Sequence, residues 1–368
     1  MYWYISFLRA PPVSLSPHQP LILTPQIAND LRTEIRYAPT TLYYTFQLLS
    51  PSCAAPLPPK LLTTFSPPES TYKALSVELP SQARIGETWR IGVFANEACD
   101  GGSIADLSIM GVWSEGIEIV REKEGAGGIV KGIGKAKGKG KEKEKDKEVV
   151  KQSRIRREWR ELKIIEQTSF DLDKKIWDSG IALSSLLFSR PVSLRPVYEI
   201  LHRDCNVLEI GSGTGLVSIA LSKILSASTH SHEIVATDLG SAIDLMEENI
   251  ALNSVRVQAR VLDWDSPLPD WVDTLAPHLI VAADVTYNTA SFPSLIATLS
   301  ALIATQHRPP LLLAYKERDP SERDLWDMLT QKGVRLRKID DVVGSEEGAE
   351  GRVEIWWGSW KEEINDIH

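Results

Sequence analysis

The run Val207-Leu-Glu-Ile-Gly-Ser-Gly-Thr-Gly-Leu216 sets an acid, Glu209, two positions ahead of Gly211, Ser212, Gly213, Thr214 and Gly215. Glycine lets a backbone turn tightly and approach a ligand, and a helix starting behind such a turn offers free N–H groups to an anion. A glycine-rich turn alone is weak, because dinucleotide-binding proteins use a related one. Here the spacing is G-x-G-x-G rather than G-x-G-x-x-G. The backbone from Gly211 to Gly215 would serve an amino-acid end, whose carboxylate needs donors and whose ammonium needs acceptors. Glu209 would orient the loop or accept through water. The bland alternative is a tight turn with no ligand.

Three further clusters follow in order. Asp238 closes Ile234-Val-Ala-Thr-Asp238, which would put a carboxylate at the tip of the next strand, beside two ribose hydroxyls, although aspartate is also a common helix N-cap. In Leu262-Asp-Trp-Asp265, Asp263 would accept from an adenine amine, and Trp264 would either wall the ring or simply pack. With the glycine loop, these residues read as a site for S-adenosyl-L-methionine. In Ala282-Ala-Asp-Val-Thr-Tyr-Asn288, Ala283 falls on the cofactor side, and Asp284 and Tyr287 fall near the transferred methyl. The alternative there is a strand-capping aspartate and a packed tyrosine. The run is not Asn-Pro-Pro-Tyr, which counts against a base-flipping amino methyltransferase.

The elements that must hold these residues alternate regularly from Cys205 onward. Strands are predicted at Asn206–Ile210, Glu233–Thr237, Val255–Leu262, His278–Ala282 and Pro310–Ala314, with helices between them. Such alternation argues for an α/β fold with a parallel sheet covered on both faces. Strands at Arg335–Asp340 and Arg352–Trp357 read as an antiparallel hairpin at the sheet edge. Five parallel strands and a hairpin make the doubly wound, seven-stranded plan of the class I methyltransferases. Trp177-Asp-Ser-Gly-Ile-Ala-Leu-Ser-Ser-Leu-Leu187 has helical spacing.

Upstream, residues 1–122 are rich in proline and short strand-like runs, and read as a β-rich accessory region without chemistry of its own. Residues 123–152 are rich in Lys, Gly and Glu and are expected to be disordered, as a solvated insertion rather than a nucleic-acid arm, since acids dilute the positive field. Glu161–Glu166 reads as a strand pairing across that insertion with Gly116–Val120. The third unit, 153–368, is the expected methyl-transfer domain.

A net charge of −8 gives no support to a nucleic-acid partner, and three scattered cysteines give none to a disulfide framework or a zinc site. No metal is expected. Met1–Leu8 lacks a leading positive charge and is cut short by Arg9 and Pro11-Pro12, so an opening strand is expected rather than a signal peptide. No apolar run reaches the roughly 18 residues of a membrane span. The expectation is a monomer in the cytosol, with the nucleus as a second compartment.

Trp177-Asp-Ser-Gly, Glu209-Ile-Gly-Ser-Gly-Thr-Gly215, Thr237-Asp238, Leu262-Asp-Trp264, Asp284-Val-Thr-Tyr287 and Tyr315-Lys-Glu-Arg318 occur in that order. Together they resemble the seven-β-strand protein-lysine methyltransferases outside the SET class, especially fungal members, over about residues 155 to 360. The resemblance implies that Trp177 borders the cofactor pocket, that Asp284 and Tyr287 shape the target-amine site, and that Lys316 to Arg318 share the rim. It implies a protein substrate. An unperturbed lysine has a pKa near about 10.4, so the site must favour its neutral form. The expectation is that Asp284 positions the ammonium and Tyr287 the lone pair, with deprotonation through water. The alternatives are a small-molecule N-methyltransferase on the same fold and a non-catalytic cofactor-binding scaffold.

Overall fold

A computed structural model describes residues 2–106, 109–121, 154–167, 172–305, 307–344 and 351–360. The Lys-rich run 123–152 lies outside the described residues. So does most of the acidic loop between the last two strands.

Seven strands form the sheet of the C-terminal half, in the spatial order Gln258–Val261, His232–Asp238, Cys205–Ile210, Leu279–Ala283, Leu311–Tyr315, Val353–Trp360 and Val334–Val342. The first five run parallel, and Val353–Trp360 runs antiparallel to both of its neighbours, forming the edge hairpin with Val334–Val342, as the alternation predicts. Strand residues point alternately to opposite faces, and here both faces are apolar. Val207, Leu279, Val281, Leu312 and Ala314 enter one core with helices Asp178–Ser189 and Leu216–Leu225. Leu208, Ile210, Ile280, Ala282, Leu311 and Leu313 enter the other with helices Phe292–Ile303 and Asp324–Gln331. Strand order reverses between Cys205–Ile210 and Leu279–Ala283, and such a switch point opens a crevice at the carboxyl ends of the strands.

A second sheet of eight strands gathers most of the N-terminal region around Thr40–Ser50 and Thr88–Phe94. Arg154–Glu158 and Lys163–Gln167 complete it, so the chain just beyond the insertion extends this N-terminal sheet and not the seven-stranded one. Lys163–Gln167 pairs with Arg154–Glu158, which in turn pairs with Val112–Ser114. The expected partner, Ile117–Ile119, instead pairs with Thr88–Phe94 and Ser14–Leu15. The expected opening strand is Tyr4–Phe7. No helix among the described residues is long and apolar enough to cross a membrane.

The two sheets are joined by a helix that imitates a strand. Lys163–Gln167 is an edge strand, whose outer N–H and C=O groups would otherwise lack partners. Asn249 and Asn253 stand on one face of helix Gly240–Asn253 and fill those places. Asn249 accepts from Ile165 N–H at 2.7 Å and donates to Ile165 C=O at 3.1 Å. Asn253 does the same for Lys163, at 3.0 and 2.6 Å. The remaining amide hydrogen of Asn249 goes to Thr214 C=O at 3.0 Å, so one buried side chain ties the edge strand to the glycine loop. Replacing Asn249 with leucine leaves those groups buried and unpaired. We expect a loss of about 2–4 kcal/mol in urea unfolding, and a stability change within experimental error would show that the bonds contribute nothing net.

Candidate functional site

The glycine loop owes its shape to three left-handed residues, Gly211 (φ 62°), Gly213 (φ 53°) and Gly215 (φ 79°), a region that side chains rarely adopt. Space is short as well. A Cβ on Gly211 would lie 2.7 Å from Val285 Cγ1, and one on Gly213 would lie 3.3 Å from the Asp173 carbonyl. Ser212 stitches the loop to the next strand, its N–H donating to Thr237 C=O at 2.9 Å and its Oγ accepting from Thr237 N–H at 3.0 Å.

Glu209 lies beneath this loop, fully buried, and accepts from the N–H of Ser218 in the first turn of helix Leu216–Leu225, at 2.9 Å, and from the Ser218 hydroxyl. A carboxylate at a helix N-terminus suits the dipole there. Burial still dominates and pushes its pKa up to about 7. Asp238 ends its strand as the spacing predicts, accepting from Gly213 N–H and Leu239 N–H, both at 2.7 Å. Burial raises its pKa.

Glu209, Gly211, Gly213 and Asp238 line one cleft at the strand ends, with Ser212, Thr214, Asp263, Trp264, Ala283, Asp284, Trp177 and Tyr287, whereas Gly215 is not part of its lining. Asp263 also accepts from Asp265 N–H at 3.0 Å and from the Ser266 hydroxyl at 3.2 Å. Trp264 packs on the core and reaches Gly211. Trp177 and Tyr287 stack at the mouth, ring centres 5.5 Å apart and planes 19° apart, with Tyr287 45% exposed.

Asp284 sits differently. It is buried, and its backbone is left-handed, φ 57°, an uncommon conformation for a side-chain-bearing residue. Its carboxylate is bonded on both oxygens, by Arg318 Nη1 at 2.5 Å and by Ser179 N–H at 2.9 Å. Arg318 also bonds Asp30 at 2.8 Å and lies over the Trp177 ring at 4.9 Å. Lys316 bonds Asp178 at 2.7 Å and lies 3.6 Å from Asp30. The Tyr4 hydroxyl donates to Asp178 at 2.8 Å.

The cluster is thus three carboxylates against two cations, nearly dry. Burial pushes Asp178 up to about 6, and neighbouring Asp30 adds to this. Burial works the same way on Asp30, but Lys316 and Arg318 outweigh it and hold that carboxyl below its usual range.

Apart from Gly215, the site residues expected from the sequence line this one cleft, while the sequence signals nothing at Asp30, Tyr4, Asn249 or Ser218. Asp30 and Tyr4 lie far from the motifs in the chain, and no spacing signals them.

Residues 156–332 match the family described as lysine methyltransferase. The yeast protein-lysine N-methyltransferase EFM6 of Saccharomyces cerevisiae is 30% identical over 42% of this chain and 68% of its own length. A UPF0665 family protein of Schizosaccharomyces pombe is 32% identical over 44% of this chain and 48% of its own. The human protein-lysine N-methyltransferase EEF2KMT is 28% identical over 43% and 50%. The chain spans about half the length of the latter two relatives.

The cofactor of such enzymes is S-adenosyl-L-methionine, and the residues fit it. Backbone polar groups meet at the loop, a carboxylate stands at the second strand tip and an indole walls the far end. This chain belongs to the lysine methyltransferase family.

Two outcomes test the site. Gly213→Val forces a side chain into a left-handed position against the Asp173 backbone, so calorimetry should detect no S-adenosylhomocysteine binding to a protein with an unchanged circular dichroism spectrum. Undiminished affinity would move the cofactor away from the loop. The second concerns pH. The folded pKa of Glu209 exceeds the ordinary 4.5, so folding takes up a proton. Stability is therefore fullest below that ordinary value and falls as pH rises toward about 7. Glu209→Gln should melt with a flatter pH dependence across that window, and identical slopes for both proteins would contradict the assignment.

Proposed function

From membership of that family, we propose that this chain N-methylates a lysine side chain of a protein. The observation that carries the reading is the stack of exposed Tyr287 on half-buried Trp177, which lines the same cleft as the buried Asp284. S-Adenosylmethionine supplies an electrophilic methyl group on a sulfonium. What the chain itself must supply is alignment and a neutral amine.

The stacked rings offer an aromatic collar for an aliphatic lysine stem, and the Tyr287 hydroxyl is the group placed to orient the amine. The pKa of Tyr287 is raised by burial and by the Asp238 and Asp173 charges, so it stays protonated and able to donate. Asp284, bonded to Arg318 and Ser179, sets the floor of the amine site and contributes negative charge beneath it. An open mouth framed by aromatic rings suits a protruding side chain better than a free small molecule. The cysteine usage and charge balance favour a cytosolic acceptor, with the nucleus second.

The decisive experiment is transfer of labelled methyl from S-adenosylmethionine into a cell lysate lacking the endogenous enzyme, with and without nuclease. Label in a nuclease-resistant species, mapped to lysine by mass spectrometry, is the expected result. Label confined to nucleic acid or small molecules would overturn the reading. Tyr287→Phe, which removes only a hydroxyl, should lower turnover by about tenfold to a hundredfold while S-adenosylhomocysteine affinity stays nearly unchanged. Full turnover would remove that hydroxyl from the mechanism.

A further inference from the structure

Asp30 belongs to the N-terminal region, yet its side chain is 1% exposed and lies against the rim of the methyl-transfer cleft. The turn that carries it is built tightly. Asn29 accepts from Thr33 N–H at 3.0 Å, and Asp30 Oδ1 accepts from Leu31 N–H at 2.9 Å. The other oxygen, Oδ2, accepts from Arg318 Nη2 at 2.8 Å. Arg318 thereby spans two carboxylates, Asp30 and Asp284, while its flat face covers Trp177. A guanidinium presents its donors in a rigid fork, so two fixed acceptors determine its plane. Its Nε has no partner, and beside a long bond from Nη1 to the Lys316 carbonyl at 3.3 Å the two carboxylates are the groups that fix the pose.

We propose that Asp30 is a positioning residue for methyl transfer, holding Arg318 in the pose that braces Asp284 and the Trp177–Tyr287 stack. The proposal rests on the functional reading above. It gives the N-terminal region a part in the site: the cleft is complete only when that region is docked. Asp30 touches neither cofactor nor amine and acts through Arg318. Losing it leaves the guanidinium held from one side, and the ring above it free to tilt. Misplacement of about 1 Å at a reacting group can cost two orders of magnitude.

The test uses the full chain with Asp30→Asn, Arg318→Lys and the double variant, measuring kcat, the KM for S-adenosylmethionine and amide hydrogen exchange. Asp30→Asn should lower kcat by about tenfold or more with little change in that KM. Exchange should rise at Ser179 and over 284–287 and stay unchanged in helix Leu216–Leu225. The double variant should be no slower than Arg318→Lys alone, because both substitutions break one relay. Wild-type kcat in Asp30→Asn, losses that multiply in the double variant, or exchange raised throughout the chain would each overturn the proposal.

If Asp30→Asn does not fold, Arg318→Lys decides, since an ammonium keeps the charge but cannot fork across both carboxylates; wild-type kcat there refutes the relay. If the wild-type protein methylates nothing, the functional reading falls. Local exchange at Ser179 and 284–287 then still supports or refutes the positioning role.

Discussion

Lys316 and Arg318 share an almost dry space with Asp30, Asp178 and Asp284. Charges removed from water cost several kcal/mol each unless every one is paired and hydrogen-bonded. The pairing therefore constrains everything that supplies a partner. Tyr4 must reach Asp178 from the first strand of the chain, the Asn29–Asp30 turn must face inward, and helix Asp178–Ser189 must begin where Ser179 N–H meets Asp284. The left-handed backbone of Asp284 persists because these partners over-determine it.

The two sheets meet around that cluster and along a second seam. Asn249 and Asn253 occupy the hydrogen-bonding side of an edge strand and so close it to further pairing. Because Asn249 also holds Thr214, the glycine loop is fastened from behind by the element that covers the N-terminal sheet. Burial of Glu209 under the same loop adds a second fastening. A loop meant to present backbone groups to a ligand needs such support, since its own glycines supply none.

Much of this was legible before any coordinates. The seven-stranded order follows from strict alternation of apolar strands with amphipathic helices, because period-two and period-3.6 patterns admit few topologies. Glu209, Asp238 and Asp284 each sit at a strand end, where register with the glycine loop makes them visible. Two kinds of feature stayed hidden. The partner of Lys163–Gln167 depends on which of several short strands lies nearest in space, and sequence proximity pointed to Ile117–Ile119 when Val112–Ser114 bonds the intervening hairpin strand. Asp30 and Tyr4 act across separations of 288 and 174 residues, to Arg318 and Asp178 respectively. A lone acid in a proline-rich stretch carries no periodic signal of such a contact.

Trp177 and Asp178 are neighbours in the chain but face different surroundings, one ring lining the cleft and one carboxylate buried against Tyr4 and Lys316. The helix start between them is therefore common property of the ligand site and of the joint between the sheets. Local opening at that helix start loosens both, so the cleft and the joint between the sheets are coupled there. A ligand that occupies the cleft thus also steadies the first strand of the protein, although it never touches it.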